Sequence, residues 1–377
     1  MKIAYIAAST IPSSTANSIQ VMKVCQALTQ NGEKVHLFIP GSGIIQWEEL
    51  AGHYGLSARF PISRVPSWRP LKRLDFVFRS LRHAKQVEAD VIYTRMLWVA
   101  VGALMMHWPV ILEMHDVPMG RFGPWLFKRY LTSKRKKLTV LITHALRKLI
   151  EAKFKTNFPE KEVIISPDGV DVERYLNLPD AVQARQQLGL REIPTAVYTG
   201  GFYEGRGLEI LLELAKAFSG VQFIWVGGKP DAVSDWKAKI QNLGLENIVI
   251  TGFVANERLP LYQSTAEVLL MPFGKSISGS SGGNTVDVCS PMKMFEYMAA
   301  GRVILTSDLP VLHEVLNDSN AAFYTPEDLT DFKAKFGSLM ADRERRTVLA
   351  IQAKKDVLGY IWQERMRKII SFIGAVK

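Results

Sequence analysis

Residues 289–301 read CSPMKMFEYMAAG. A proline follows small polar residues and opens a helical pattern, with Met292, Phe295 and Met298 on one face and Lys293 and Glu296 on another. At that spacing the two charges can form a local surface ion pair worth well under about 1 kcal/mol. Alternatively they can divide one ligand, Lys293 meeting phosphate while Glu296 accepts hydrogen bonds from a ribose diol. A second stretch offers matching chemistry. TGGFYEGRGLE (199–209) sets Gly200, Gly201, Gly205 and Gly207 ahead of a helix, where backbone N–H groups can approach an anion, and Arg206 adds a full positive charge. Its plainer reading is a glycine-rich turn with a surface arginine.

Other chemistries fit less well. Neither stretch is GxGxxG, and the first loop, AASTIPSSTANS, has no glycine, which disfavours a dinucleotide-binding oxidoreductase. Cys25 and Cys289 lie in different halves and suggest neither a disulfide framework nor a zinc site; each reads as a small buried or half-buried residue. No clear acidic pair is placed to hold a divalent metal. No run of eighteen apolar residues exists to span a membrane. MKIAYIAAS reads as a first buried strand rather than a secretory signal, so the expected location is the cytoplasm.

A scaffold must position these groups, and hydrophobic periodicity supplies it. The 377 residues exceed one ordinary core and predict two domains. IAYIAA, then Val21, Val24, Cys25 and Leu28 at helical spacing, then KVHLFIP make a βαβ unit. ADVIYTR (89–95), WPVILEMHD (108–116), KLTVLITHALRKLI and KEVIISPDGVD (161–171) extend it. After a polar, charged stretch (173–192) the pattern restarts at TAVYTGG and runs through VQFIWVGG, NIVITGFV, EVLLMPF and RVILTSDLP. The fold class is therefore α/β, two doubly wound parallel sheets, with ligands expected beyond the carboxyl ends of the strands. The loop GKSISGSSGGNTVDV (274–288) is long enough to be a working loop.

Taken together, TANSIQVMKVCQAL, the EMHD strand end, ISPDGVDVERY, TGGFYEGRG, the TGFV turn and SPMKMFEYMAAGRVILTSDLPVLHEVL resemble the GT-B nucleotide-sugar glycosyltransferases, specifically glycosyltransferase family four, over most of the chain. The resemblance implies two Rossmann-like domains facing across a deep cleft. The acceptor-binding domain would cover 1–170 and the nucleotide-sugar-binding domain 190–360, with the last helix, about 361–377, packing back on the first. It further implies a retaining, metal-independent hexosyltransferase. The co-substrate would be a nucleotide diphosphate sugar, a UDP-sugar such as UDP-glucose, with no other cofactor. The acceptor would be a saccharide or lipid-linked molecule in cell-envelope or exopolysaccharide synthesis.

Carried over residue by residue, the family pattern makes Glu296 the ribose carboxylate and sets Arg206 where a phosphate-binding lysine usually stands. Base recognition falls to the backbone of Gly252, Phe253 and Val254. Gly200, Gly201, Ser290, Pro291, Met292 and Lys293 belong to the diphosphate. His115 occupies the position of the cleft histidine near the transferred sugar, although a lone histidine is more often structural, and Ser14, Thr15 and Asn17 fall in the acceptor loop. His115, Arg206 and Lys293 are the catalytic candidates. Two positions depart from the pattern. Where many members carry the first of two glutamates seven residues apart, this chain has Val288 beside Asp287, which leaves the sugar hydroxyls to backbone amides or the 274–290 loop. Where many carry an arginine it has Gly201, which shifts the phosphate grip towards Lys293.

Charge is uneven. Residues 1–158 hold 23 Lys+Arg and 9 Asp+Glu, a balance of +14, and the remaining 24 basic and 27 acidic residues give −3. RPLKRLDFVFRSLRHAK (69–85) predicts an amphipathic helix with Leu71, Leu74, Phe78 and Leu81 on one face and Lys72, Arg73, Arg79, Arg82 and Lys85 around the rest; KRYLTSKRKK (128–137) is a second basic cluster. These suit either an anionic membrane surface, with peripheral attachment at its inner face, or a solvated domain face. No nucleic-acid motif accompanies them. Two other functions stay open on the same scaffold: a nucleotide-sugar epimerase or hydrolase, and a non-catalytic nucleotide-sugar-binding protein at the membrane.

Overall fold

Short apolar runs, buried on both faces, set the strands, as expected of parallel sheets covered by helices. The computed structural model describes residues 1–68, 74–277 and 284–375. The chain divides into two units, Met1–Asp168 with Trp362–Lys377, and Gly169–Ile361.

In the first unit the strands are β1 (Lys2–Ile6), β2 (Lys34–Pro40), β3 (Ile62–Val65), β4 (Val91–Thr94), β5 (Val110–Met114), β6 (Lys137–Leu141) and β7 (Val163–Ile165). They form one parallel sheet ordered β3-β2-β1-β4-β5-β6-β7. The helix Ala16–Gln30 starts where the Thr15 side chain accepts the Ser18 N–H at 3.3 Å, satisfying one of the free donors of its first turn. The last helix, Trp362–Ala375, packs against it, and Asn31 Nδ2 donates to the Gln363 carbonyl at 2.7 Å. β5 reads VILEM and is buried throughout, Glu113 included. A carboxylate inside a central strand must be answered by a cation and by donors, and that requirement organises the site described below.

The second unit contains β8 (Thr195–Thr199), β9 (Gln222–Val226), β10 (Ile248–Gly252), β11 (Val268–Met271), β12 (Val303–Ser307) and β13 (Ala322–Tyr324), parallel and ordered β10-β9-β8-β11-β12-β13. Tyr198, Leu211, Phe223, Trp225, Leu270 and Phe336 lie in its core. The polar stretch 173–192 is part of this unit, as a 3-10 turn over Val172–Tyr175 and a helix over Ala181–Gln187. The strand β3 and the helices Trp47–Tyr54, Leu97–Met105 and Gly123–Thr132 complete the first unit where the sequence reading placed no element.

The basic helix differs from its expected form. Over Leu74–Gln86 the buried face is Phe76, Val77, Ser80, Leu81 and Ala84, packed against the helix Leu97–Met105. Leu74 and Phe78 are exposed, at 36% and 72%, because the packed stripe is rotated from the expected one. Leu71, Lys72 and Arg73 lie outside the described residues. Lys137 also leaves the basic cluster: it is buried in β6 and paired with Glu162 at 2.8 Å. Among the described residues no helix is long and apolar enough to cross a membrane.

Candidate active site

In the second unit the chain runs outward from β8 through β9 to β10, then returns to β11 on the other side of β8. The crevice beyond the carboxyl ends of β8 and β11 is thus the topological switch point, the place where open α/β sheets receive ligands. Tyr297 builds it. Its buried hydroxyl accepts the Thr199 N–H at 2.8 Å and donates to the Leu270 carbonyl at 3.3 Å, tying the ends of both strands to the helix Met292–Ala300. Lys293 lies one turn earlier on the same face and is carried into the same crevice.

The Lys293 Nζ stands 4.0 Å from the centre of the Tyr198 ring and 5.5 Å from that of Phe273. The Arg206 guanidinium shares the Phe273 ring, its central carbon 5.4 Å away. Among the described residues neither the Lys293 ammonium nor the Arg206 Nε–H has a hydrogen-bond partner, although both atoms are buried. Burial, and then the Arg206 charge, hold the ammonium well below the ordinary lysine range, with Glu296 opposing them. Two cations beside one ring, with no oxygen among the described residues to receive them, can accept an anion. The surface ion pair between Lys293 and Glu296 is therefore not what the structure holds.

The backbone around this spot is tight. Gly200 has φ 141° and a side chain there would begin 2.7 Å from the Lys293 Nζ. Gly227, at the end of β9, approaches so closely that an added Cβ would lie 2.2 Å from the Gly200 carbonyl oxygen. Its N–H donates to the Gly252 carbonyl at 2.8 Å, so three neighbouring strand ends are stitched together. The sequence reading missed Gly227; the WVGG end of its strand was the signal. Gly201 accepts the Tyr198 hydroxyl at 2.8 Å, and a side chain there would run into the Tyr203 ring, which accounts locally for the absence of an arginine. Ser290 is buried, Pro291 precedes the helix as its cap residue, and Met292 and Val254 are half-buried. Phe253 is exposed at 47%. Glu296 is half-buried one turn beyond Lys293, and its charge, after burial, helps push the Tyr175 phenol up. Val288 is buried and Asp287 exposed. Gly274 N–H donates to the Gly205 carbonyl at 3.0 Å, joining the start of the 274–288 loop to the glycine-rich turn, while its residues 278–283 lie outside the described residues.

In the first unit the corresponding switch point falls between β1 and β4. Here the expected acceptor residues sit in the loop after β1: Ser14 exposed, Thr15 capping the helix, and Asn17 accepting from Arg95 Nη1 at 2.8 Å. Arg95 also donates to Gln20 Oε1 at 3.2 Å, and Gln20 Nε2 donates to Glu113 Oε1 at 2.6 Å. His115, two residues past Glu113, places Nε2 2.7 Å from the same oxygen. A carboxylate can only accept, so Nε2 carries the proton and Nδ1 remains a lone-pair acceptor. Burial, and then Arg95, hold the imidazole below its ordinary range, while Glu113 and Asp168 pull the other way.

Glu113 remains ionised. Burial alone would raise its pKa, but Arg365 and His115 more than offset that and hold the carboxyl well below the usual range. Arg365 Nη2 donates to Glu113 Oε1 at 2.9 Å, and the Tyr93 hydroxyl donates to Oε2. Glu113, His115 and Asp168 bring their nitrogen and oxygen atoms within 4.8 Å of one another, a spacing that would suit a cation. The guanidinium of Arg365 meets this cluster at Glu113, and the Arg95 charge also acts on it. Arg95, Glu113, Gln20, Asp168 and Arg365 were all missed in the sequence reading; a glutamate inside an apolar strand was the legible sign.

Comparison with known proteins agrees in both units. Residues 18–174 match the family model for Glycosyltransferase Family 4, and residues 193–342 match that for Glycosyl transferases group 1. A 2-deoxystreptamine glucosyltransferase of Streptomyces kanamyceticus is 29% identical over 136 residues, 34% of each chain, so the match spans about a third of that relative's length. HepE of Anabaena, solved with UDP and glucose, superposes with a TM-score of 0.76 at 16% identity over all of both chains. The sucrose-phosphate synthase of Thermosynechococcus elongatus superposes at 0.75, with 15% identity over 98% of each. At such identities the structural likeness is one of fold.

Proposed function

Because this chain is a GT-B glycosyltransferase of the family-four type, we propose that it moves a hexose from a UDP-sugar such as UDP-glucose to a saccharide or lipid-linked acceptor in cell-envelope or exopolysaccharide synthesis. The observation that carries this reading is the pair of unanswered cations, Lys293 and Arg206, at the β8/β11 switch point. A sugar diphosphate leaves with negative charge on its phosphate oxygens. Preorganised cations and N–H groups stabilise that charge where it develops, and in this reading they make a bound metal unnecessary. Glu296 receives the ribose hydroxyls, and the backbone of Gly252, Phe253 and Val254 reads the base.

In this reading the reaction proceeds with retention, as the resemblance to the family implies. The anomeric carbon–oxygen bond to the diphosphate breaks and its electron pair stays on the phosphate. The acceptor oxygen bonds to the same face of that carbon, and its proton passes to the departing phosphate oxygen. No carboxylate nucleophile is used. His115, neutral and oriented by Glu113, offers Nδ1 as acceptor to a hydroxyl of the transferred sugar.

A thermal-shift panel of nucleoside diphosphates and their sugars tests the reading, since a ligand that binds the native state alone raises the melting point. Stabilisation by UDP and a UDP-hexose, lost in Glu296→Ala, is expected. The same response in both proteins would remove Glu296 from the site. NMR of the product's anomeric configuration tests retention. Donor consumption without acceptor would point instead to an epimerase or hydrolase.

The acceptor reading includes an anionic membrane surface. The helices Leu74–Gln86, Leu97–Met105 and Gly123–Thr132 pack side by side and expose Phe78, Trp98 and Trp125, with Arg79, Arg82, Lys128 and Arg129 also exposed. Aromatic groups beside cations suit the headgroup region, each well-placed cation contributing about 1 kcal/mol. Flotation with vesicles containing anionic lipid, but not with neutral ones, is the expected result.

A further inference from the structure

The residue that fixes His115 comes from the far end of the chain. Arg365 lies on the helix Trp362–Ala375 and is 5% exposed. Its Nε donates to the Pro167 carbonyl at 2.6 Å and its Nη2 to the Ser166 carbonyl at 3.0 Å, so the guanidinium is locked to the chain just after β7. From that anchor it reaches Glu113 through Nη2 at 2.9 Å and Nη1 at 3.4 Å. Glu113 in turn fixes the His115 ring through Nε2. A planar fork held by two carbonyls and aimed at a carboxylate gives direction as well as charge.

We propose that Arg365 and Glu113 are positioning residues for His115, acting as a relay in which the last helix sets the tautomer and orientation of the histidine that meets the transferred sugar. The proposal rests on the role given to His115 above. Its physical basis is the acceptor-only character of an ionised Glu113. While Arg365 keeps that carboxylate charged, Nε2 must donate, and Nδ1 is fixed as acceptor. The other charged or titratable groups around the ring and its carboxylate are Arg95 after β4, Asp168, and the phenols of Tyr5 and Tyr93. Asp168 lies in the chain after β7 but carries the same sign of charge as Glu113 and repels it, so it cannot replace Arg365.

The experiment compares Glu113→Gln, Arg365→Met, Arg365→Lys and His115→Ala in the full chain, singly and combined, each checked for native melting. Losing a group that orients a functional side chain is expected to lower kcat about 10- to 100-fold. Donor KM should stay near wild type, because the nucleotide is held by other residues. Arg365→Lys should recover part of the loss. In the His115→Ala background, Glu113→Gln should add nothing, whereas a purely structural effect would multiply. Nitrogen-15 spectra of labelled histidine, with His115 assigned by its absence in His115→Ala, should show the Nε2–H form in wild type and a mixed or altered form in Glu113→Gln. That readout serves even if Arg365→Met fails to fold. Wild-type kcat and an unchanged tautomer in a folded Glu113→Gln would overturn the proposal alone. Wild-type kcat in His115→Ala would remove the role of His115 and the relay with it.

Discussion

The Lys293 ammonium rests 4.0 Å from the centre of the Tyr198 ring, and among the described residues no oxygen accepts a hydrogen bond from it. A cation over an aromatic face gains part of what it loses on leaving water, but an unanswered ammonium beside the Arg206 guanidinium is still costly. In the proposed function this cost is offset when the diphosphate binds.

Proton uptake on nucleotide binding follows. Burial and Arg206 depress the Lys293 pKa in the free protein, and a diphosphate beside it must raise it. Binding should take up a fraction of a proton, and affinity should fall as pH rises above the free-state value. Calorimetry with UDP in two buffers of different ionisation heat, between about pH 6 and 9, measures this. No buffer dependence anywhere in that range would contradict it.

Replacing the same side chain should separate stability from binding. Lys293→Met keeps the apolar stem and removes the buried charge, so the free protein should melt higher than wild type. UDP affinity should fall about 10- to 100-fold, the equivalent of about 1.4–3 kcal/mol for lost charged hydrogen bonds. Paired thermal and binding titrations check both directions.

Tyr297→Phe tests the tie across the switch point. Its hydroxyl is the acceptor for the Thr199 N–H at 2.8 Å, and phenylalanine leaves that donor buried and unmatched. The expected cost is about 1–3 kcal/mol, read from denaturant melts. UDP binding should weaken too, since Gly200 and Lys293 are positioned by the same tie.

Acid stability should depend on Glu113. Its folded pKa lies below the unfolded value, so its contribution is complete above about pH 4.5 and declines as pH falls towards the depressed folded value. Urea melts at stepped pH should show Glu113→Gln weaker than wild type at neutral pH and less sensitive to acid below about pH 4.5.

How much of this was legible beforehand differs between the two sites. Lys293, Glu296, Arg206 and the glycines near them sit in two short stretches where residue type, helix start and glycine spacing carry local meaning, so these candidates could be named from the chain. The same reading grouped Leu74 and Phe78 with Leu81 on one apolar face, of which Leu81 alone of the three is buried, because periodicity alone does not say which stripe of an amphipathic helix meets its neighbour. It also counted Lys137 in a surface basic cluster, when its place at the start of a strand buried throughout set it against Glu162.

The sequence by itself determined the alternation of strand and helix, and therefore two doubly wound sheets with chemistry at their strand ends, because hydrophobic periodicity and turn residues are local properties. It determined the residue types at the candidate phosphate grip for the same reason. Only the tertiary structure decided that Lys293 is buried and unanswered rather than paired on the surface, and that Arg365 reaches Glu113 across 252 positions of chain. Those outcomes depend on strand order and helix packing, which bring together groups that no spacing in the chain relates.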